Sequence, residues 1–295
     1  IFKNNELIAA SEEERFSRVK HTSQFPLNSI KYCLKEANIN ISSLDLVTIN
    51  SNPYSAIFKK IAYVVSNPSA VKIALSSLLN SKKKIGLSKL LSQVDEKKSF
   101  RGKISFVDHH ESHIASSLLF SKFEKCANLS VDGFGDFASC AYGLYQNQEL
   151  KVDHKVSFPH SLGIFYQSLT QYLGFRSYGD EYKLMGLSSY GKPKYLNEIS
   201  QIIFKTPKGF KLNLKYFNHH KKKIFYVNSK GQYVYENLYS DELRKLLGKE
   251  RSKNEKIEQK HLDLAKSVQV TYEQILFHLL DIIYKKYKVD SLTIS

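Results

Sequence analysis

Ile104-Ser105-Phe106-Val107-Asp108-His109-His110-Glu111-Ser112-His113, then Ala127-Asn128-Leu129-Ser130-Val131-Asp132-Gly133-Phe134-Gly135-Asp136, is the part of the sequence on which the fold turns. Each half begins with a short, largely apolar run that stops at an aspartate, Asp108 or Asp132. Runs of that length, rich in β-branched and aromatic residues and closed by polar or glycine signals, read as strands. Strands are therefore expected at 104–107 and 127–131, with a helix over 113–119 between them and another strand over 140–145. Gly133 and Gly135 read as the turn joining the last two. Strand, helix and strand in that order point to the α/β class.

The same stretch carries the strongest chemical signal. His109 and His113 stand at i and i+4, so on a helical turn both imidazoles project from one face and can chelate one ion. Asp132 closes a strand beside two glycines, which let a backbone come close to a metal or a phosphate. Two imidazoles, a carboxylate and open positions form the ligand set of catalytic non-haem Fe(II) or Zn. Spacing alone equally allows polar packing of a helical His pair, and the absence of HExxH removes the familiar metalloprotease reading.

Outward from this centre, Asn4-Asn5 reads as a hairpin turn before a strand at 6–10, so the chain is expected to start inside a hairpin. Residues 11–21 are highly charged. Pro26 stands near a helix start, with Ile30, Cys33, Leu34 and Ala37 on one face, and 44–49 reads as a buried strand. Residues 53–103 alternate apolar helical patterns with Lys clusters, including Lys82 to Lys84, and read as an inserted helical excursion with a solvated basic face. A helix is expected over 161–174, an irregular β excursion over 205–235, a long amphipathic helix over 260–286 and a strand beginning at Ser291. Asp180 to Pro193 reads as a tight loop with two acidic residues, Lys183 and two glycines, able to hold a phosphate or simply to pair at the surface.

Composition bounds the rest. With 295 residues the chain can bury one large core or two smaller ones. Lys and Arg total 44 against 28 Asp and Glu, a net charge of +16. That surplus fits either attraction of polyanions or a codon bias that also enriches Ile, Asn, Phe and Tyr. No basic patch interleaved with aromatics points to specific nucleic-acid readout. The three cysteines have no metal-type spacing, which fits a reducing, cytoplasmic setting. No apolar run reaches the roughly 20 residues that span a bilayer.

Five blocks, in order, resemble the N-terminal domain of the nodulation-type and antibiotic-tailoring O-carbamoyltransferases: AASEEERFSRVKH (9–21), VDHHESHIASSLLFS (107–121), LSVDGFGD (129–136), PHSLGIFYQSLTQYLGF with DEYKLMGLSSYGKP (159–175 and 180–193), and DLAKSVQVTYE (263–273). The resemblance implies an actin-like, sugar-kinase-like (ribonuclease H-like) α/β fold, incomplete at both ends, with Lys-rich insertions near 53–103 and 205–255. It implies transfer of a carbamoyl group from carbamoyl phosphate, through an ATP-derived carbamoyl-adenylate, to a hydroxyl of a sugar, aminoglycoside or similar acceptor. Metal ligands at His109, His113 and Asp132 are implied, with Fe(II) favoured over Zn. His110 is the candidate general base, and Lys183 with Gly186, Gly133 and Gly135 would hold the donor. Glu14, Arg15, Arg18, Lys20 and His21 are placed near the acceptor. The family pattern puts a strand with a His-Asp pair before Ile1. A Gly-Gly loop, a further metal-binding Asp and a carbamoyl-adenylate-forming domain, or a partner subunit in its place, are expected after Ser295; a homodimer is a further expectation. Two other readings share these residues: a non-catalytic polyanion-binding remnant, and threonylcarbamoyl transfer to tRNA.

Overall fold

The structure, a computed structural model, describes residues 1–68, 86–95, 97–229, 231 and 233–295. The Lys82–Lys84 cluster lies outside the described residues. The chain opens with a hairpin, β1 (Phe2–Lys3) and β2 (Glu6–Leu7), whose turn residues Asn4 and Asn5 both have positive φ. Two left-handed residues match the twist of the flanking strands, and Asn tolerates that conformation. Two helices follow, α1 (Glu14–Ser17) and α2 (Leu27–Glu36), the latter starting just after Pro26 as the sequence suggests.

A small parallel pair comes next: β3 (Leu46–Ile49) beside β4 (Lys103–Phe106). The helices α3 (Ile57–Ser66) and α4 (Leu87–Leu91) lie between them in sequence. Leu34, Ile41, Leu91 and Val94 form the buried cluster of this layer. The expectation of a buried strand at 44–49 is corrected here, because among the described residues β3 pairs with β4 alone and Leu46 is 54% exposed.

The main sheet has the order β12-β5-β6-β7. Its strands are β5 (Cys126–Gly135), β6 (Ala138–Gln146), β7 (Glu149–Ser157) and, at the far end of the chain, β12, with α5 (His109–Leu118) preceding β5 in sequence. Between β7 and that last strand come α6 (Leu162–Tyr172), α7 (Glu181–Ser188), α8 (Leu196–Ile199), β8 (Ile203–Thr206) and β9 (Gly209–Leu212). Then follow β10 (Phe225–Val227), β11 (Tyr233–Tyr235), α9 (Asp241–Leu247), α10 (Gln259–Tyr287) and β12 (Leu292–Ile294) itself. β5, β6 and β7 form an antiparallel meander, and β12 joins β5 in parallel. The chain is thus mixed α/β.

Side chains alternate along β5, as they must on a strand. Ala127 and Leu129 enter the large core shared with Leu162, Phe165, Leu169, Leu264, Val268 and Leu279 of α6 and α10. Ser130 and Asp132 point to the other side, toward α5.

Three local expectations are overturned. The helix forecast for 113–119 begins at His109, because the Asp108 carboxylate caps it by accepting from the backbone N–H of His110 and Glu111. The turn forecast at Gly133 and Gly135 is instead the end of β5, and Asp136-Phe137, both with positive φ, make the turn. The loop forecast for 180–193 holds a helix, α7, over its first half.

Candidate metal centre

The cap on α5 fixes what the two histidines can do. With His109 as the first helical residue and His113 one turn later, both rings leave the same face. Asp132, two residues past Ser130 on β5, meets them. His109 Nε2 lies 2.8 Å from Asp132 Oδ2, His113 Nε2 lies 3.1 Å from His109 Nε2, and His113 Nε2 lies 3.8 Å from Asp132 Oδ2. Among the described residues this is the single cluster of three such ligand atoms close enough to share an ion.

The donor set fits a divalent cation. Metal–ligand bonds of about 2.1 Å place neighbouring donors about 3.0–3.5 Å apart, which the observed triangle brackets. Both imidazoles and the carboxylate are partly exposed, so a ligand entering from solvent can complete the coordination.

The surroundings hold His109 in one orientation. Its Nδ1 lies 3.3 Å from the Asn50 carbonyl, and donation there leaves a lone pair on Nε2. Its backbone N–H donates to Asp136 Oδ2 at 2.9 Å; the same carboxylate accepts from Asn52 N–H at 2.7 Å and from the Ser51 hydroxyl at 2.6 Å. Gly135 makes the space: a Cβ there would stand 1.9 Å from His109 Cδ2. When protonated on both nitrogens, His109 donates from Nε2 to Asp132, and that bond, followed by the one from Gly133 N–H, holds the Asp132 carboxyl at about 2 against the effect of burial. The Asp132 hydrogen bond in turn raises His109.

Behind the triad, Lys155 lies 2.8 Å from Asp108 Oδ2, and Ser55 donates to the same oxygen at 3.0 Å. In front of it opens a cleft of about 1040 Å3 that runs from His109 and Asp132 past α6 and α7 to Phe225 and Tyr235 of the β10–β11 hairpin. Glu181 is its inner carboxylate, and burial raises its pKa.

A family model described as the carbamoyltransferase N-terminus matches residues 1–295. The chain belongs to that family. Curated relatives of this carbamoyltransferase domain include an uncharacterized Synechocystis protein, sll1178, 32% identical over 100% of this chain and 48% of its own length. The nodulation protein NolNO of Sinorhizobium fredii is 30% identical over 95% of this chain and 37% of its own. The domain therefore spans about half, or less, of the length of these relatives. A crystallised Ppx/GppA phosphatase from Aquifex aeolicus is similar over 96% of this chain and 78% of its own at 12% identity, with a TM-score of 0.28, too low to bear on the fold.

The sequence-predicted residues of the carbamoyltransferase domain fall into three groups. His109, His113 and Asp132 meet at one point, and Gly133 lines the cleft beside them with open space where a Cβ would go. His21 packs its ring 4.9 Å from Tyr178, a cleft residue, and its N–H donates to Glu14. Arg15, Arg18 and Lys20 are absent from the cleft wall.

The structure places the other assigned residues differently. His110 is fully buried, with Nδ1 2.9 Å from Ser130 Oγ, so it braces α5 against β5 rather than facing the cleft as a base. Lys183 pairs with Asp180 at 2.7 Å, on the side of α7 away from Glu181 and Met185, and Gly186 is an exposed position within that helix. Gly135 seats the His109 ring instead of a donor. Asp136 and Lys155 were missed, because their partners lie tens of residues away in sequence and no local pattern marks them. Glu181 was one of the two acidic residues of the 180–193 block, but was given no role of its own.

Proposed function

We propose that this domain transfers a carbamoyl group to a hydroxyl of a sugar or natural-product acceptor held in the cleft, the group arriving from carbamoyl phosphate through ATP-derived carbamoyl-adenylate. Membership of the family supports carbamoyl transfer, and an actin-like fold is proposed on the same ground. The observation that carries the site is the His109–His113–Asp132 triangle at the inner end of a deep cleft. His109, His113 and Asp132 would hold a divalent ion, Fe(II) in preference to Zn for a facial set of two His and one carboxylate. Bound there, such an ion supplies Lewis acidity to a phosphate or carbonyl oxygen.

The chain's own groups supply the rest. Asp136 and the Asn50 carbonyl fix His109, so the ligand atoms need no rearrangement. Glu181 is the cleft carboxylate placed to accept the proton of an acceptor hydroxyl, and its raised pKa makes it a stronger base than an ordinary carboxylate. Apolar walls from Phe134 and Ile164 keep water from competing with that hydroxyl. No Lys or Arg among the described residues lines the cleft, so binding of the donor's phosphates and formation of the adenylate are assigned to groups outside this cleft.

The test is His113→Ala in the full-length protein, with metal content measured by mass spectrometry and transfer followed from labelled carbamoyl phosphate. Loss of both is expected. Transfer that survives loss of the metal would sink the reading.

A further inference from the structure

Helix α3 buries none of its ten residues. Phe58 is 88%, Ile61 56% and Val65 75% exposed, and their i, i+3, i+7 spacing puts them on one stripe of the helix. The helix is nevertheless fixed to the domain from another side: the Tyr63 ring lies 6.1 Å from Phe137 and 5.1 Å from Phe158. The outward face of this excursion, expected to be solvated and basic, is therefore largely apolar over α3. A stripe held out to solvent by an anchored helix contributes nothing to the core and marks a surface that binds something.

Basic groups gather beside it. Lys59 of α3 donates to the Ser157 hydroxyl, at the end of β7, at 3.3 Å. Burial lowers the pKa of His154 on β7, and the charges of Lys208, Lys59 and Lys286 lower it further. Three ammonium groups from α3, the β8–β9 turn and the last turn of α10 thus share one side of the domain, along the β7 edge of the main sheet. Among the described residues, Lys59 and Lys208 form no ion pair.

Size and charge select the occupant. A stable dimer needs roughly 800 Å2 per partner, and a helix about 15 Å long supplies only a fraction of that. Single-stranded nucleic acid stacks on aromatic rings, and Ile61 and Val65 offer none. An anionic bilayer matches both observations: it takes up an apolar stripe at the acyl boundary, draws ammonium groups to its headgroups and requires no complementary shape. No described helix is long and apolar enough to cross a membrane, so α3 would lie in the plane of the interface.

We propose that the β7 edge docks this domain on an anionic phospholipid surface, with Phe58, Ile61 and Val65 entering the acyl boundary and Lys59, Lys208 and Lys286 meeting the headgroups. The docking is independent of the carbamoyl-transfer reading. Ser55, two residues ahead of α3, bonds the Asp108 cap of α5, so the docked face adjoins the metal centre without using its ligands.

Flotation of the full-length protein with phosphatidylcholine vesicles, with and without phosphatidylglycerol, tests it. Binding should be at least about tenfold stronger with phosphatidylglycerol. It should weaken steeply near 1 M salt, where the Debye length is about 3 Å. Phe58→Asp and Val65→Asp should each weaken partition roughly ten- to hundredfold, and Lys59→Gln and Lys208→Gln roughly fivefold each. All four positions are exposed, so circular dichroism and metal content should stay at the parent level. Leu119→Asp, at an 82% exposed position beyond α5, is the control and should bind like the parent. No vesicle binding, equal binding to neutral vesicles, or an equal loss from Leu119→Asp would each overturn the proposal. Dimers that form without lipid and that Phe58→Asp splits, with vesicle binding unchanged by that substitution, would give the face to a second copy instead.

Discussion

Gly135→Ala would place a methyl carbon 1.9 Å from Cδ2 and 2.5 Å from Nε2 of His109. Ordinary van der Waals contact begins near 3.4 Å, so the ring must retreat by about 1.5 Å. Metal–ligand bonds tolerate about 0.2 Å. The Nδ1 contact to Asn50 and the backbone bond to Asp136 resist a compensating slide of the helix, so the imidazole swings out of the triangle. Disturbing even a supporting group around a metal costs about 10–100-fold in affinity, and displacing a ligand costs at least the upper end, about 2.7 kcal/mol. Gly133→Ala is the internal control, because nothing lies within 4 Å of a Cβ at that position. Chelator-competition titration of both variants, with far-UV circular dichroism to establish folding, reads the difference directly. Gly135→Ala binding metal as tightly as the parent, or Gly133→Ala losing as much, would refute the role given to Gly135.

Other expectations follow from buried groups. His219 donates to the Pro159 carbonyl at 2.7 Å, and burial pushes its pKa from 6.5 to about 4. The unfolded chain therefore binds the extra proton first, so stability is full above about pH 6.5 and falls toward pH 4, by about 3 kcal/mol for this residue. Urea titrations of His219→Gln against the parent across that window should show a shallower slope; identical slopes would count against it. Lys155→Met leaves the buried Asp108 carboxylate without its cation. Burial raises Asp108, while the hydrogen bond and charge of Lys155 bring it net below the usual range. A loss of about 1–3 kcal/mol is expected by denaturant unfolding, together with weaker metal binding through the α5 cap. Arg251 is 7% exposed and donates to the carbonyls of Leu173, Lys253 and Glu255. Arg251→Ala should lower stability by about 2–4 kcal/mol, and an unchanged melting temperature would show those bonds to be dispensable.

The helices at 162–172 and 259–287 were legible because their apolar residues recur at helical spacing over several turns and face one core. The triad was legible for a related reason: i, i+4 spacing and a strand end are local facts. The two glycines of β5 misled. Glycine usually signals a turn, yet Gly135 makes room for an imidazole, and Gly133 lies close against Gly163 of α6, where a Cβ would stand 2.9 Å from Gly133 Cα. The real turn holds Phe137 at φ 71, a conformation an aromatic residue seldom adopts, and it is sustained by packing against Tyr63 and Phe158. β7 was not anticipated, since Lys151, Asp153, His154 and Lys155 dilute its alternation. The Tyr178–Tyr235 stack was invisible because its two rings come from segments that meet only in the folded chain.

The Asp136 carboxylate works as a joint. One oxygen takes the Ser51 hydroxyl, 85 residues away in sequence, and the other takes both the Asn52 and His109 amides. The loop leaving β3 and the first turn of α5 are therefore pinned to the same two atoms. A displacement of the small β3–β4 layer, by a neighbouring domain or by closure over a ligand, would be transmitted to the imidazole of His109 before it reached the rest of the sheet. The position of that layer would then set how tightly the metal is gripped.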